Sequence, residues 1–226
     1  MSTENGTDGG VREWLRGLEV FAGPLAEFVP EEAPEDPVEL FLGWLREAVD
    51  AGVPEAHAMT VSTVGDDGVP DARVLIVKNV DARGWQFAGY AESPKGRQLG
   101  GRPAAALTFY WPLLGRQVRV RGPVEAASAG ESAADLLARS ASARAEVLMG
   151  RQSERLDDVA EREREFASAL ARLAAEPELV SPGWTLYTVR ATSVEFWQAD
   201  KDRLHTRLRY ERTGPDAGWR RHRLWP

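Results

Sequence analysis

The sequence predicts a mainly β protein, an antiparallel sheet curled into a barrel with helices around it. Two observations carry this. Short apolar or alternating runs (AMTVSTV, RVLIVK, WQFAGY, LTFYW, QVRVRG) are separated by the turn-forming GDDG, DARG and PLLG, and strands joined in series by short turns pair antiparallel. Similar runs (WTLYTVRAT, SVEFWQ, HTRLRYER, WRRHRL) return near the C-terminus after an interval of helical spacing. Six to eight strands are expected.

In chain order, the polar, glycine-rich MSTENGTDGG is expected to be disordered. Residues 1–35 are read as a flexible N-terminal segment and 36–226 as one domain. A helix is predicted from Pro37 to Ala51. Asp36 can cap it, Pro37 suits its first position, Glu39 completes a capping-box spacing, and Gly52 and Pro54 stop it. Val38, Phe41, Leu42, Leu45 and Val49 form its apolar stripe. Strands follow, broken by a short helix in SPKGRQLGGRP. In GRQVRVRG, Val118 and Val120 alternate with Arg119 and Arg121, the period of a half-buried strand. Further helices are expected at about 129–148 and 153–175, the second carrying Leu156, Val159, Phe166, Leu170 and Leu173 on one side.

Composition excludes several chemistries. With no cysteine, there is no disulfide, thiolate site or thiol nucleophile, and three histidines do not suggest a metal centre. There is no G-x-G-x-x-G after a strand, no P-loop and no nucleophile elbow. No run approaches the ~18–20 apolar residues of a membrane span, and no signal peptide is evident, so a soluble, cytoplasmic protein is expected. The net charge of −7 argues against nucleic acid. From Lys201 onward, however, eight Lys or Arg stand against three acids. That basic surface suits a small anion, and it also fits a solvated strand face. If the chain is an enzyme, a cofactor supplies the reactivity.

Arg73 to Lys78 is an apolar run bracketed by cations, which fits a ligand-binding strand or a buried strand whose basic ends snorkel to water. Lys95 and Arg97 open a predicted helix, where backbone N–H groups favour an anion; loop solubility explains them equally. Gln117 could hydrogen-bond a heterocycle's edge or face solvent. Trp197, Arg203, His205 and Arg207 cluster in EFWQADKDRLHTRLRY, with 203, 205 and 207 expected on one face of a strand. A half-buried edge strand would give the same pattern.

The order HAMTVSTVGDDGVPDARVLIVK, ESPKGRQL, FYWPLLGRQVRVRG, GRQSERL, EFWQADKDRLHTRLRYER and GWRRHRLWP resembles the pyridoxamine 5′-phosphate oxidase family across residues 36–226. The resemblance implies an FMN-binding split β-barrel acting as a homodimer with flavin in the subunit cleft. It places cofactor contacts at Arg73, Val74, Leu75, Ile76, Val77, Lys78, Ala88, Gly89, Lys95, Gln117, Gln152, Ser153, Trp197 and Arg207. Ser153 also suits a helix N-cap. Lys78 and Arg139, with the candidate catalytic pair Arg203 and His205, would position an anionic substrate. No metal is implied.

Departures concern the substrate. Asp135 and Ala143 stand where a tyrosine and a serine would bind a substrate phosphate, a loss of roughly 3–6 kcal/mol. EVLMG replaces a Gly-Ala-Trp segment, FVPEEAPEDP replaces a basic one, Ala88-Gly89 replaces an aromatic-Thr pair, and Pro94 replaces an arginine. GRQSERLDDV and SVEFW…RLHTRLRY are similar to the phenazine-biosynthesis flavin oxidases. The expected function is FMN- and oxygen-dependent oxidation of a reduced nitrogen heterocycle, such as a dihydrophenazine carboxylate. Oxidation of pyridoxine or pyridoxamine 5′-phosphate and non-catalytic flavin binding are the alternatives.

Overall fold

Ten strands of a computed structural model, which describes residues 10–214 and 217–226, form one mainly antiparallel sheet curled into a half-barrel. They are β1 Ala58–Val64, β2 Pro70–Ile76, β3 Asn79–Asp81, β4 Gly84–Tyr90, β5 Ala104–Trp111, β6 Arg116–Ala126, β7 Trp184–Val189, β8 Ser193–Gln198, β9 Thr206–Glu211 and β10 Arg220–Arg223. The count exceeds the expected six to eight: β10 lies in the expected run WRRHRL, and β3, which no run announced, pairs with β4. The main path runs β10-β9-β8-β6-β5-β1-β2, while β3, β4 and β7 branch from β6.

β6 makes the bend. Residues 116–121 pair with β8 and 124–126 with β7, and Gly122 lies between. A Cβ on Gly122 would fall 2.3 Å from the Arg190 carbonyl oxygen, so only glycine permits this close crossing of backbones. Inside the curl lie Val61, Leu107, Phe109, Val118, Val120, Val194 and Phe196, none with measurable exposure.

Helix α2, Pro37–Asp50, fills the open side, and Asp36 caps it by accepting from the Val38 N–H at 2.9 Å. Phe41 packs on Phe109 at 4.8 Å between ring centroids and Trp44 on Phe196 at 5.2 Å. Its buried stripe is Leu40, Phe41, Trp44 and Ala48, rotated from the expected one, which leaves Val49 exposed. The aromatic pockets between sheet strands, rather than the aliphatic spacing, set that rotation. Each such ring buried contributes ~1.5–3 kcal/mol.

The remaining helices are α1 Gly10–Arg16, α3 Pro94–Gly101, α4 Ala129–Leu137, α5 Ala141–Met149 and α6 Val159–Ala175. The helix expected over 129–148 is two, because Ser140 caps a new one. The next begins at Val159, not 153, because Asp158 takes the cap by accepting from the Ala160 N–H. Leu156 therefore lies outside it and is exposed. The disorder expected at the start falls on residues 1–9, outside the described ones. The segment before residue 36 is not free throughout: Tyr210 Oη donates to the Pro34 carbonyl at 2.7 Å, and Pro30 and Ala33 are buried.

Candidate active site

Between the outer side of β2, the end of β4, the start of α3 and the loop after α5 lies a cavity of about 600 Å³. Its apolar strip is Val74, Leu75 and Ile76. The continuous apolar run there suggested a buried strand, yet Val74 is 67% and Ile76 37% exposed. β2 is an edge strand, and no other strand among the described residues pairs with its outer edge.

At one end, Lys95 is 4% exposed in the first turn of α3. Ser93 caps the helix and Pro94 holds its first position. The Lys95 ammonium donates to Gln152 Oε1 at 2.7 Å and Ser93 Oγ at 3.2 Å, both neutral. Burial, with a smaller push from Arg73, lowers its pKa to about 8, against a smaller opposing pull from Glu146. Gly89 makes room for this side chain, since a Cβ there would lie 2.3 Å from Lys95 Cε. Gln152 and Ser153 follow Gly150, the left-handed cap of α5, and Ser153 is itself at φ 69° in a turn. Ser153 caps no helix.

At the other end stand Lys78 and Arg139. The Arg139 guanidinium lies 4.4 Å above the Trp184 ring, and the Trp184 indole N–H donates to Asp135 Oδ2 at 2.8 Å. Asp135 Oδ1 is 4.0 Å from the Lys78 ammonium. Sequence reading did not single out Trp184, which looks like the first residue of an ordinary strand. Ala88 and Gly89 line the same cavity. Arg73 and Val77 do not: Arg73 bonds Thr63 and Asp71, and Val77 packs on the core.

The other predicted residues form a second group on the sheet's outer face. Gln117 pairs with Trp197 across β6 and β8, and Trp197 with Arg207 across β8 and β9, so the three stand in one row. The His205 ring lies 4.7 Å from that of Trp197, and His205 Nδ1 accepts from the Asp200 N–H at 3.0 Å. With Nδ1 the acceptor, the ring N–H is on Nε2. Arg203 and His205 are not on a strand, as had been expected. β9 starts at Thr206, and the Asp200 carboxylate organises a turn by accepting from the Asp202 and Leu204 N–H groups, with Arg203 at φ 67°. None of Gln117, Trp197, Arg203, His205 and Arg207 lines the cavity of Lys78 and Lys95.

Residues 45–198 match the family described as pyridoxamine 5′-phosphate oxidase, and residues 184–226 match a pyridoxine 5′-phosphate oxidase C-terminal dimerisation region. The pyridoxine/pyridoxamine 5′-phosphate oxidase of Thermosynechococcus vestitus is 44% identical over 198 residues, covering 86% of this chain and 91% of its own. That of Rubrobacter xylanophilus is 40% identical over 219 residues, 96% of this chain and 99% of its own. Among solved structures, PhzG from Burkholderia lata 383 in complex with tetrahydrophenazine-1-carboxylic acid superposes with a TM-score of 0.83 at 31% identity, covering 90% of this chain and all of that one (100%). An FMN-binding protein from Nostoc punctiforme shares the fold, with a TM-score of 0.68 at 17% identity over 84% of this chain and 98% of its own.

Proposed function

The chain belongs to the pyridoxamine 5′-phosphate oxidase family of FMN-dependent oxidoreductases, and from that premise we propose that it oxidises a reduced nitrogen heterocycle bearing a carboxylate, a dihydrophenazine carboxylate being the fitting class. The observation that carries this reading is a single cavity with a buried cation at one end, an apolar strip along its middle and a fixed cation pair at the other.

The residues present fit FMN. A buried ammonium with only neutral partners calls for an anion, and Lys95, Ser93 and the first N–H groups of α3 converge where a phosphate would be held. Val74–Ile76 would floor the ring system, and Gln152, bonded to Lys95, would stand at the phosphate end. The bound cofactor would supply two-electron oxidation of the substrate and return those electrons to oxygen as hydrogen peroxide. The chain's own residues bind, orient and exclude water.

The match of residues 184–226 to a dimerisation region supports a homodimer. On this reading a second copy brings its Gln117–Trp197–Arg207 row, with Arg203 and His205, over the exposed side of β2. The cofactor is then held from both copies, and the substrate's anion sits between Lys78 and Arg139 of one and Arg203 and His205 of the other. The last two orient the substrate and need not act as bases.

The phenazine assignment draws support from the bound carboxylate of the Burkholderia lata protein. A second reading, oxidation of pyridoxine or pyridoxamine 5′-phosphate, draws support from the names of relatives at 40–44% identity. Mixing FMN-loaded protein with each substrate class under anaerobic conditions and following the yellow flavin band separates them. Faster bleaching by a dihydrophenazine carboxylate is expected. Faster bleaching by pyridoxine 5′-phosphate would replace the first reading with the second.

A further inference from the structure

We propose that Asp135 is a specificity-determining residue that sets the ligand charge this site accepts, favouring a monoanion such as a carboxylate over a phosphate dianion. The inference rests on the reading that Lys78 and Arg139 receive the substrate's anion. Both cations face the cavity with Trp184, whereas Asp135 stands behind them. Its carboxylate is fixed from two sides, by the Trp184 indole at 2.8 Å and the Lys78 ammonium at 4.0 Å. The Asp135 side chain is 15% exposed.

The helix that carries it is pinned. Ser128 and Glu131 form a reciprocal capping box at the start of α4, Leu136 is fully buried, and Ser132 Oγ accepts from the Leu186 N–H at 3.1 Å. The backbone under Asp135 is thus held in place, and the Trp184 indole keeps its carboxylate beside Lys78. Of the positive charges that meet the ligand, Lys78 and Arg139 here and Arg203 of the second copy on the proposed reading, Asp135 cancels one. A phosphate dianion meets twice the repulsion from Asp135 that a carboxylate does, so the fixed charge shifts preference toward the monoanion.

Electrostatics fixes the form of the effect: repulsion on a dianion is twice that on a monoanion at the same place, so the fold-change for one is the square of that for the other. Asp135→Asn keeps an acceptor for the Trp184 indole and removes the charge. Binding of pyridoxine 5′-phosphate and of phenazine-1-carboxylate to the FMN-loaded dimer is measured by calorimetry, in the wild type, Asp135→Asn, Lys78→Ala and Arg139→Ala. The expected result is a gain of about tenfold for the phosphate and about threefold for the carboxylate in Asp135→Asn. Equal changes for the two ligands, or none, would overturn the role of Asp135 while Lys78→Ala and Arg139→Ala still weaken both. Unchanged binding in those two alanine variants would overturn the reading of the site, and the inference with it. Asp135→Ser is measured in the same way should the asparagine variant not fold.

Discussion

The Glu195 carboxylate and the Arg207 guanidinium are joined diagonally across β8 and β9 by two hydrogen bonds, at 2.7 and 3.1 Å. Glu195 is 4% exposed and also holds Arg209 at 2.8 Å, with Arg119 at 3.6 Å. Burial pushes its pKa up, but the bonds from Arg209 and Arg207 and the charges of Arg207 and Arg119 hold it below the ordinary value of 4.5. A carboxylate so depressed contributes stability that is present above 4.5 and lost as pH falls through its folded value. Glu195→Gln is expected to remove about 1–3 kcal/mol at neutral pH, because the arginines lose a charged acceptor. It should also flatten the acid side of the stability profile. Denaturant unfolding of both proteins between pH 3 and 7 checks both.

Lys95 gives the same slope at alkaline pH, but there the folded state disfavours the charged form instead of favouring it. Its pKa is lowered from 10.5 to about 8, so between those values the unfolded chain binds more protons than the folded one. The stability of the FMN-free protein, relative to Lys95→Met, should therefore rise with pH across that window and be flat below about 8. FMN affinity should move the other way, since an ammonium is what holds a phosphate: steady below about 8, then falling by up to about tenfold per pH unit. Flavin fluorescence titrations from pH 7 to 10 in both proteins measure it. An affinity that declines equally in Lys95→Met would remove Lys95 from phosphate binding.

The position of Lys95 depends on its neighbour. A Cβ on Gly96 would lie 2.2 Å from the Ala91 carbonyl oxygen and 2.5 Å from that of Tyr90, and backbone cannot yield as a side-chain tip can. Gly96→Ala should push α3 off β4, cost about 1–3 kcal/mol and weaken FMN binding. Gly100, in the same helix, meets nothing within 4 Å. There the same substitution should stabilise by up to about 1 kcal/mol through helix propensity, with FMN binding intact. Thermal melts and FMN titrations of the pair distinguish packing from propensity.

What the sequence disclosed follows from how local each signal is. Asp36-Pro37, the alternation in RQVRVR and Ser93-Pro94 are set by neighbours a few residues away, and the helix and strand they announce are where they should be. The family was legible because several motifs recur in order. Arg203 and His205 were misplaced because Asp200, a short-range polar residue, captures two N–H groups and closes a turn where alternation implied a strand. Ser153 lost its expected cap to Asp158 in the same manner. The run RVLIVK signalled burial, but Val74 and Ile76 lie exposed on an edge strand. The Asp135–Trp184–Lys78 contact joins three elements distant in sequence, and no local pattern announces it.

That split of the site between two surfaces yields the strongest test of the dimer reading. Lys95 belongs to the cavity group and Arg207 to the outer row, and within one chain they do not meet in a common pocket. Lys95→Ala and Arg207→Ala homodimers should each bind FMN at least about tenfold more weakly, the loss of one charge-assisted contact of ~1.5–3 kcal/mol. In a hybrid dimer carrying one variant in each copy, one site collects both lesions and the other collects none. Hybrids, purified by two different tags, should therefore bind one FMN per dimer with wild-type affinity. Were both residues to serve the site of their own copy, each hybrid site would carry one lesion and no tight site would reappear.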